Sequence, residues 1–208
     1  MDNKNKNEKK TTVKKEENAV VLDYLSRGYV KSDMSKFGGK PIAQAIGTEQ
    51  FTLLELVPKN GVALEIQDTV YIGKGKRDKI YRVLGKLDYE NLTATSRIEL
   101  DYAIKEIVEQ NEENFVEFFN TADAVSTRLH SLELIPGIGK KYMWDIINER
   151  DKKKFESFED IAERLPTLAD PASMIVNRIK QELDSTTPRR GKNKYYLFTQ
   201  PPRFKNRK

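Results

Sequence analysis

Cysteine is absent from the 208 residues, and there is one histidine, His130. The first absence excludes disulfides, thiol catalysis, iron–sulfur clusters and cysteine zinc sites. The second excludes, within one chain, a metal site or catalytic centre built on two or more histidines. No apolar run approaches the roughly 18 residues that a membrane span needs. The opening MDNKNKNEKK has no apolar stretch of the kind a signal peptide carries. These absences lead to the expectation of a soluble, cytoplasmic protein with no membrane partner, no metal and no cofactor.

Charge is what the chain has in quantity. Charged residues make up 33% and the net charge is +5. The excess sits at the ends. Residues 188–208 hold eight basic side chains and no acid, and residues 1–17 hold six lysines against four acids. That leaves 23 basic against 28 acidic side chains between residues 18 and 187, a body of net −5. A basic tail suits nucleic acid or an anionic surface. A merely solubilising tail is the plainer reading.

Residues 1–17 have almost no apolar side chains and are expected to be disordered, because they bury too little to offset the entropy of ordering. Ala19-Val20-Val21-Leu22-Asp23-Tyr24-Leu25 reads as β, and Phe37-Gly38-Gly39-Lys40-Pro41 as loop. Phe51–Val57, Thr69–Ile72 and Ile80–Leu84 read as strands, the last continuing past a bulge at Gly85. Together residues 18–92 are expected to form an OB-like β-barrel. The period then becomes helical. Thr93 or Thr95 is an N-cap, Ile98, Tyr102, Ile104 and Ile107 carry a helix to about Gln110, and Glu113–Phe119 is a second. Thr121–His130 also looks helical, and the helical domain runs to residue 187. Tyr195–Thr199 is β-prone and is expected to dock as a late strand on the barrel. The fold class is thus α+β: a small OB-like barrel followed by a helical domain.

The most specific segment is Leu134-Ile135-Pro136-Gly137-Ile138-Gly139-Lys140-Lys141, followed by Ile146, Ile147 and Arg150. It resembles the helix-hairpin-helix motif. Pro136 ends the first helix. Gly137 and Gly139 are expected in turn conformations closed to other residues, with no Cβ between backbone and ligand. Ile138 anchors the turn in the core. The first N–H groups of the next helix then make a phosphate-sized anion site, and Lys140 and Lys141 add cationic contacts. Such a site reads backbone and not base sequence. The family usually has a small residue where Met143 stands. The competing reading is a hairpin that only packs helices or binds a protein. Phe158–Pro171 with residues 172–183 looks like a second copy whose turn lacks both glycines, a structural partner without the phosphate site.

A second surface is the stretch between the last two strands, read as a basic β-hairpin: Lys74, Lys76, Arg77, Lys79 and Arg82 with Tyr71 and Tyr81 beside them. Aromatic and basic side chains on a barrel suit single-stranded nucleic acid. An ordinary solvated hairpin is the alternative. Gly73-Lys74-Gly75 is not a Walker loop, since no Gly-Lys-Ser/Thr follows. Arg189 and Arg190 open the basic tail as a further grip. His130 is expected to pack or cap, and Met143 and Trp144 to serve the core or a partner surface.

The resemblance extends further. Val21–Leu25, Gln50–Glu55, Val70–Gly75, Phe118–Asn120, Arg128–Leu134, Phe155–Asp160 and Tyr196–Pro202 are similar to an archaeal family called domain of unknown function 655. Its members are regarded as nucleic-acid- or nucleotide-binding proteins, with no established activity. The likeness covers about residues 18–202. It implies an OB-like barrel joined to a helix-hairpin-helix domain.

Three functions follow as expectations. The first is a non-enzymatic nucleic-acid-binding protein that grips the phosphate backbone through the glycine turn, the basic β-hairpin and the tail. RNA or single-stranded nucleic acid is favoured over duplex DNA, with structured RNA preferred by fold analogy. The second is a protein-interaction adaptor with a structural hairpin. The third is a DNA repair glycosylase or lyase, for which Asp160 stands at a suitable distance from the glycines although its neighbours do not resemble that active-site loop.

Overall fold

The computed structural model describes residues 15–29, 39–184 and 195–200. Five strands form one antiparallel sheet: β1 (Asn18–Leu25), β2 (Ile42–Gly47), β3 (Leu53–Pro58), β4 (Thr69–Tyr71) and β5 (Ile80–Lys86). Their order across the sheet is β4-β1-β2-β3-β5. All six residues of β2 are buried, because both faces of this central strand are covered. Alternation along β1 sends Val20 and Leu22 to one side and Ala19 and Val21 to the other. The first side packs, with Ile46, Phe51 and Leu53, against the helices. The second lines the inside of the curl with Ala43, Ala45, Leu54, Leu56, Val70 and Ile80. The result is a half-barrel backed by helices, an α+β fold.

Chain order sets the neighbours for β1, β2 and β3 but not for the last two strands. The strands β4 and β5, expected to be a hairpin, are the two opposite edges of the sheet. β4 pairs with β1, and β5 pairs with β3. The basic segment between them bridges the gap without a ladder. Lys59 donates through N–H to Lys79 O at 2.9 Å and through Nζ to Arg77 O at 2.5 Å, and Lys79 pairs with Asp68 at 2.6 Å. Strand β5 does continue past Gly85, with its register shift opposite Glu55/Leu56.

The helices are α1 (Ala94–Gln110), α2 (Glu112–Thr121), α3 (Lys140–Lys152), α4 (Phe158–Arg164) and α5 (Pro171–Leu183). Thr93 caps α1, its Oγ1 accepting Ser96 N–H at 3.0 Å. Helix α1 lies against β1 and α5. None of the helices among the described residues is long and apolar enough to cross a membrane.

Three further expectations are corrected. Residues 121–130 are not helical beyond Thr121; β6 (Ala124–Ser126) and β7 (Leu129–His130) pair as a small separate hairpin. Glu16 and Glu17 belong to the fold rather than to a disordered tail. The Glu16 carboxylate accepts the N–H groups of Glu49, Gln50 and Thr52 at 2.8–3.1 Å, and Glu17 O accepts those of Ile72 and Gly73. Residues 195–199 are no strand. The N–H groups of Leu197, Phe198 and Thr199 go to a side chain, Glu182, and Phe198 inserts edge-on between Phe115 and Phe118 of α2. Gln200 reaches the sheet side, where its Oε1 accepts from Lys86 Nζ and its Nε2 donates to Gln50 Oε1.

Candidate nucleic-acid interface

The glycine turn lies between a four-residue 3-10 turn, Ser131–Leu134, and α3. The expected first helix of the hairpin is thus a single tight turn. Its start is fastened by His130, whose Nδ1 accepts Leu132 N–H at 3.2 Å while Glu133 accepts His130 N–H at 2.9 Å. His130 is a capping residue. Burial, and then the Arg150 charge, hold it below its ordinary pKa, which suits a ring nitrogen that must stay an acceptor.

Ile135 and Ile138 are buried and hold the turn to the core, with Ile138 N–H donating to Ile135 O at 3.1 Å. Gly137 takes φ +91°, and a Cβ there would meet Met174 Cε at 3.0 Å. Gly139 differs from the expectation. Its φ of −91° is open to any residue, and nothing lies within 4 Å of the place a Cβ would occupy. Its lack of a side chain keeps the entrance to α3 open and is not a conformational requirement. Gly137, Gly139, Lys140 and Lys141 are all exposed.

As the N-cap of α3, Gly139 offers no side-chain acceptor. Among the described residues, no acceptor reaches the N–H groups of Gly139, Lys140, Lys141 and Tyr142. The helix dipole makes such a row of donors attractive to an anion. Neither Lys140 nor Lys141 has a carboxylate within ion-pair distance among the described residues; Lys141 Nζ lies 5.8 Å from the Tyr142 ring centroid.

The second copy makes the contrast. Leu165 and Leu168 are buried as Ile135 and Ile138 are, and Leu168 N–H donates to Leu165 O at 2.9 Å, as Ile138 does to Ile135. There the next helix offers fewer free donors and carries its own anion: Asp170 accepts Ser173 N–H at 2.8 Å and Pro171 supplies no N–H. The glycine turn is the one left open.

Sequence reasoning missed the residues that hold this turn in place. Arg178 on α5 donates to Leu134 O at 2.9 Å, immediately before Ile135-Pro136, and to Tyr195 O at 2.7 Å. Glu182 accepts from Arg178 Nε at 2.7 Å. Tyr142 OH donates to Thr167 O at 2.7 Å, tying the start of α3 to the second turn. The available signal was a charged pair four residues apart on the otherwise apolar face of α5.

The second surface is smaller than expected. Arg77 Nε donates to Gly73 O at 2.9 Å and Lys79 is paired with Asp68, so both serve the bridge between sheet edges. Lys74, Lys76 and Arg82 are exposed, as is Tyr81 at 71%. Tyr71 OH accepts Gly75 N–H at 3.0 Å and shapes the bridge. Arg189 and Arg190 lie outside the described residues. Asp160 accepts Glu156 N–H at 3.1 Å and pairs with Arg164 at 3.3 Å. Arg164 in turn stacks on Phe155 at 4.4 Å and donates to the Glu149 and Lys153 carbonyls at the end of α3.

The fold and sequence have clear relatives. The uncharacterized protein MJ0038 of Methanocaldococcus jannaschii is 49% identical over 192 residues, which is 91% of this chain and 83% of that protein. The crystal structure of Af1531 from Archaeoglobus fulgidus, 44% identical, superposes with a TM-score of 0.78 over 89% of this chain and 100% of its own. The model of the family described as "Protein of unknown function (DUF655)" matches residues 15–200, and the chain belongs to that family.

Proposed function

We propose that this protein binds nucleic acid without turning it over, holding a backbone phosphate at the Gly137–Lys141 turn. One observation carries the reading: among the described residues, four N–H groups at the start of α3 have no acceptor, and the exposed Lys140 and Lys141 beside them have no ion-pair partner. A phosphate oxygen supplies the missing acceptors, and the lysines add charge attraction. The exposed Lys74, Lys76 and Arg82 supply a second basic patch for the same polymer. The net −5 body repels a polyanion elsewhere and so restricts contact to these places.

The test is binding of labelled single-stranded RNA, structured RNA, single-stranded DNA and duplex DNA at two salt concentrations. The Lys140→Ala/Lys141→Ala double variant should weaken binding and lower the salt slope by about 2, one per lost phosphate contact. Gly139→Ala, which keeps the fold, should also weaken it by placing a methyl group in front of the amides. Binding unchanged in both variants would sink the proposal.

A second reading has one observation in its favour. Ile98 and Tyr102, one turn apart on α1, are 62% and 64% exposed. An adaptor would use that stripe, and its partner would stay bound in the turn variants.

A further inference from the structure

Trp144 is the single tryptophan of the chain, and 58% of it is exposed. It stands on α3 between two buried neighbours of the same helix, Met143 and Ile146, which point the opposite way. One turn before it, at i−4 and i−3, are Lys140 and Lys141; one turn after it is the exposed Asn148. Residues three and four apart on a helix share a face. The indole therefore lies on the same exposed stripe as the two unpaired lysines. No carboxylate is paired with either lysine among the described residues; the exposed Asp151 shares the stripe two turns further on, so the cationic side of the ring is the one towards the glycine turn.

A large flat ring left in water beside unpaired cations fits a ligand that is itself flat and anionic. An indole serves a nucleic acid by stacking on a base, and a base can be stacked from outside only if it is unpaired. In a duplex both faces of each base are already covered, and extruding one costs several kcal/mol. We propose that Trp144 stacks on an unpaired nucleobase next to the phosphate held at the glycine turn, which gives this face a preference for single-stranded nucleotides over duplex. The inference rests on the phosphate-binding reading above and adds to it the state of the base that follows the phosphate.

Because Trp144 is alone, intrinsic fluorescence reports on it directly. The experiment titrates the full chain with a uridine oligonucleotide, a thymidine oligonucleotide and a duplex of equal length. Affinity is measured separately by anisotropy of the labelled nucleic acid. The two single strands should quench the indole, and the duplex should leave it largely unchanged at equal occupancy. Trp144→Leu should lose about tenfold in single-strand affinity and nothing for duplex, while Trp144→Phe retains most of the affinity. The uridine and thymidine arms distinguish RNA from DNA as the source of the base.

The failures can be told apart. Oligonucleotide binding that weakens in the Lys140→Ala/Lys141→Ala variant, with unchanged fluorescence and a neutral Trp144→Leu, overturns the stacking and leaves the phosphate grip. Binding indifferent to the lysines overturns both. Trp144 is exposed, so its variants should melt with the parent, and an altered melting temperature would show instead that the ring supports the fold.

Discussion

Arg178 and Glu182, one turn apart on α5, form a buried pair at 2.7 Å whose remaining hydrogen bonds join two distant parts of the chain. The arginine holds Leu134 O, at the entrance to the glycine turn. The carboxylate accepts three successive N–H groups, from Leu197, Phe198 and Thr199, at 2.7–3.0 Å. The pair thus sets the position of the turn and fastens residues 197–199 of the basic tail to α5. A carboxylate so fully bonded can be accommodated in the interior where an isolated charge could not.

Removing one partner should therefore be costly. Glu182→Ala strands a guanidinium and three backbone donors, and about 3–5 kcal/mol of stability should be lost. Urea unfolding measures this. A loss under about 1 kcal/mol would mean that water replaces the carboxylate without difficulty.

The two glycines of the turn should separate stability from binding. Gly137→Ala puts a side chain at φ +91° and against Met174, at a cost of about 1–2 kcal/mol or more. Gly139→Ala should cost roughly 0.5 kcal/mol, the difference between alanine and glycine at an N-cap. Thermal melting of the two variants gives the comparison, and equal losses would contradict the geometry.

His130 should make stability pH-dependent. Its folded pKa is held below the unfolded value, so the folded state favours the neutral ring that accepts Leu132 N–H. That stability is fully present above about pH 6.5, the ordinary value, and declines as pH falls through it towards the lower folded pKa. His130→Asn keeps an acceptor and removes the titration. Melting curves between pH 8 and 5 should flatten in that variant relative to the parent.

Tyr29 is a spectroscopic marker for the sheet. Burial, and then its donation to Glu55 at 2.5 Å, push its phenol up to about 12. Gln44, fully buried, donates to the same oxygen at 2.9 Å. The raised value means that the bond stabilises the fold below pH 10 and is lost as pH rises through about 12. Absorbance titration near 295 nm should show a late phenol that is absent in Tyr29→Phe.

Much of the local structure was legible. A threonine cap at Thr93 or Thr95, the end of α1 near Gln110 and the apolar anchors Ile135 and Ile138 follow from residue type and spacing; the structure chooses Thr93. Strand β2 was not. Ile42-Ala43-Gln44-Ala45-Ile46-Gly47 has small residues and no polar alternation, because both of its faces are covered. Phe51, in the turn that follows, takes φ 51°, which nothing in its side chain announces. In the candidate site, the turn and its lysines could be read from the residues. The Arg178 support could not, since its acceptor Leu134 lies 44 residues away. Nor could the exposure of Trp144, which depends on which face of α3 the rest of the chain covers.

The sequence by itself determined an α+β chain, a strand-rich first half, a helical second half and one turn built around Gly137. Those are local matters: backbone sterics, capping and the periods of 2 and 3.6 act over a few residues. Tertiary structure alone decided that β4 and β5 stand at opposite edges, that Arg77 and Lys79 serve the fold, and that Glu182 takes the place of a strand partner for residues 197–199. A strand's pattern records that one face is buried but not against what, and a charged side chain carries no mark of the carbonyl it will meet. Those choices are made by the packing of the whole chain around its common core.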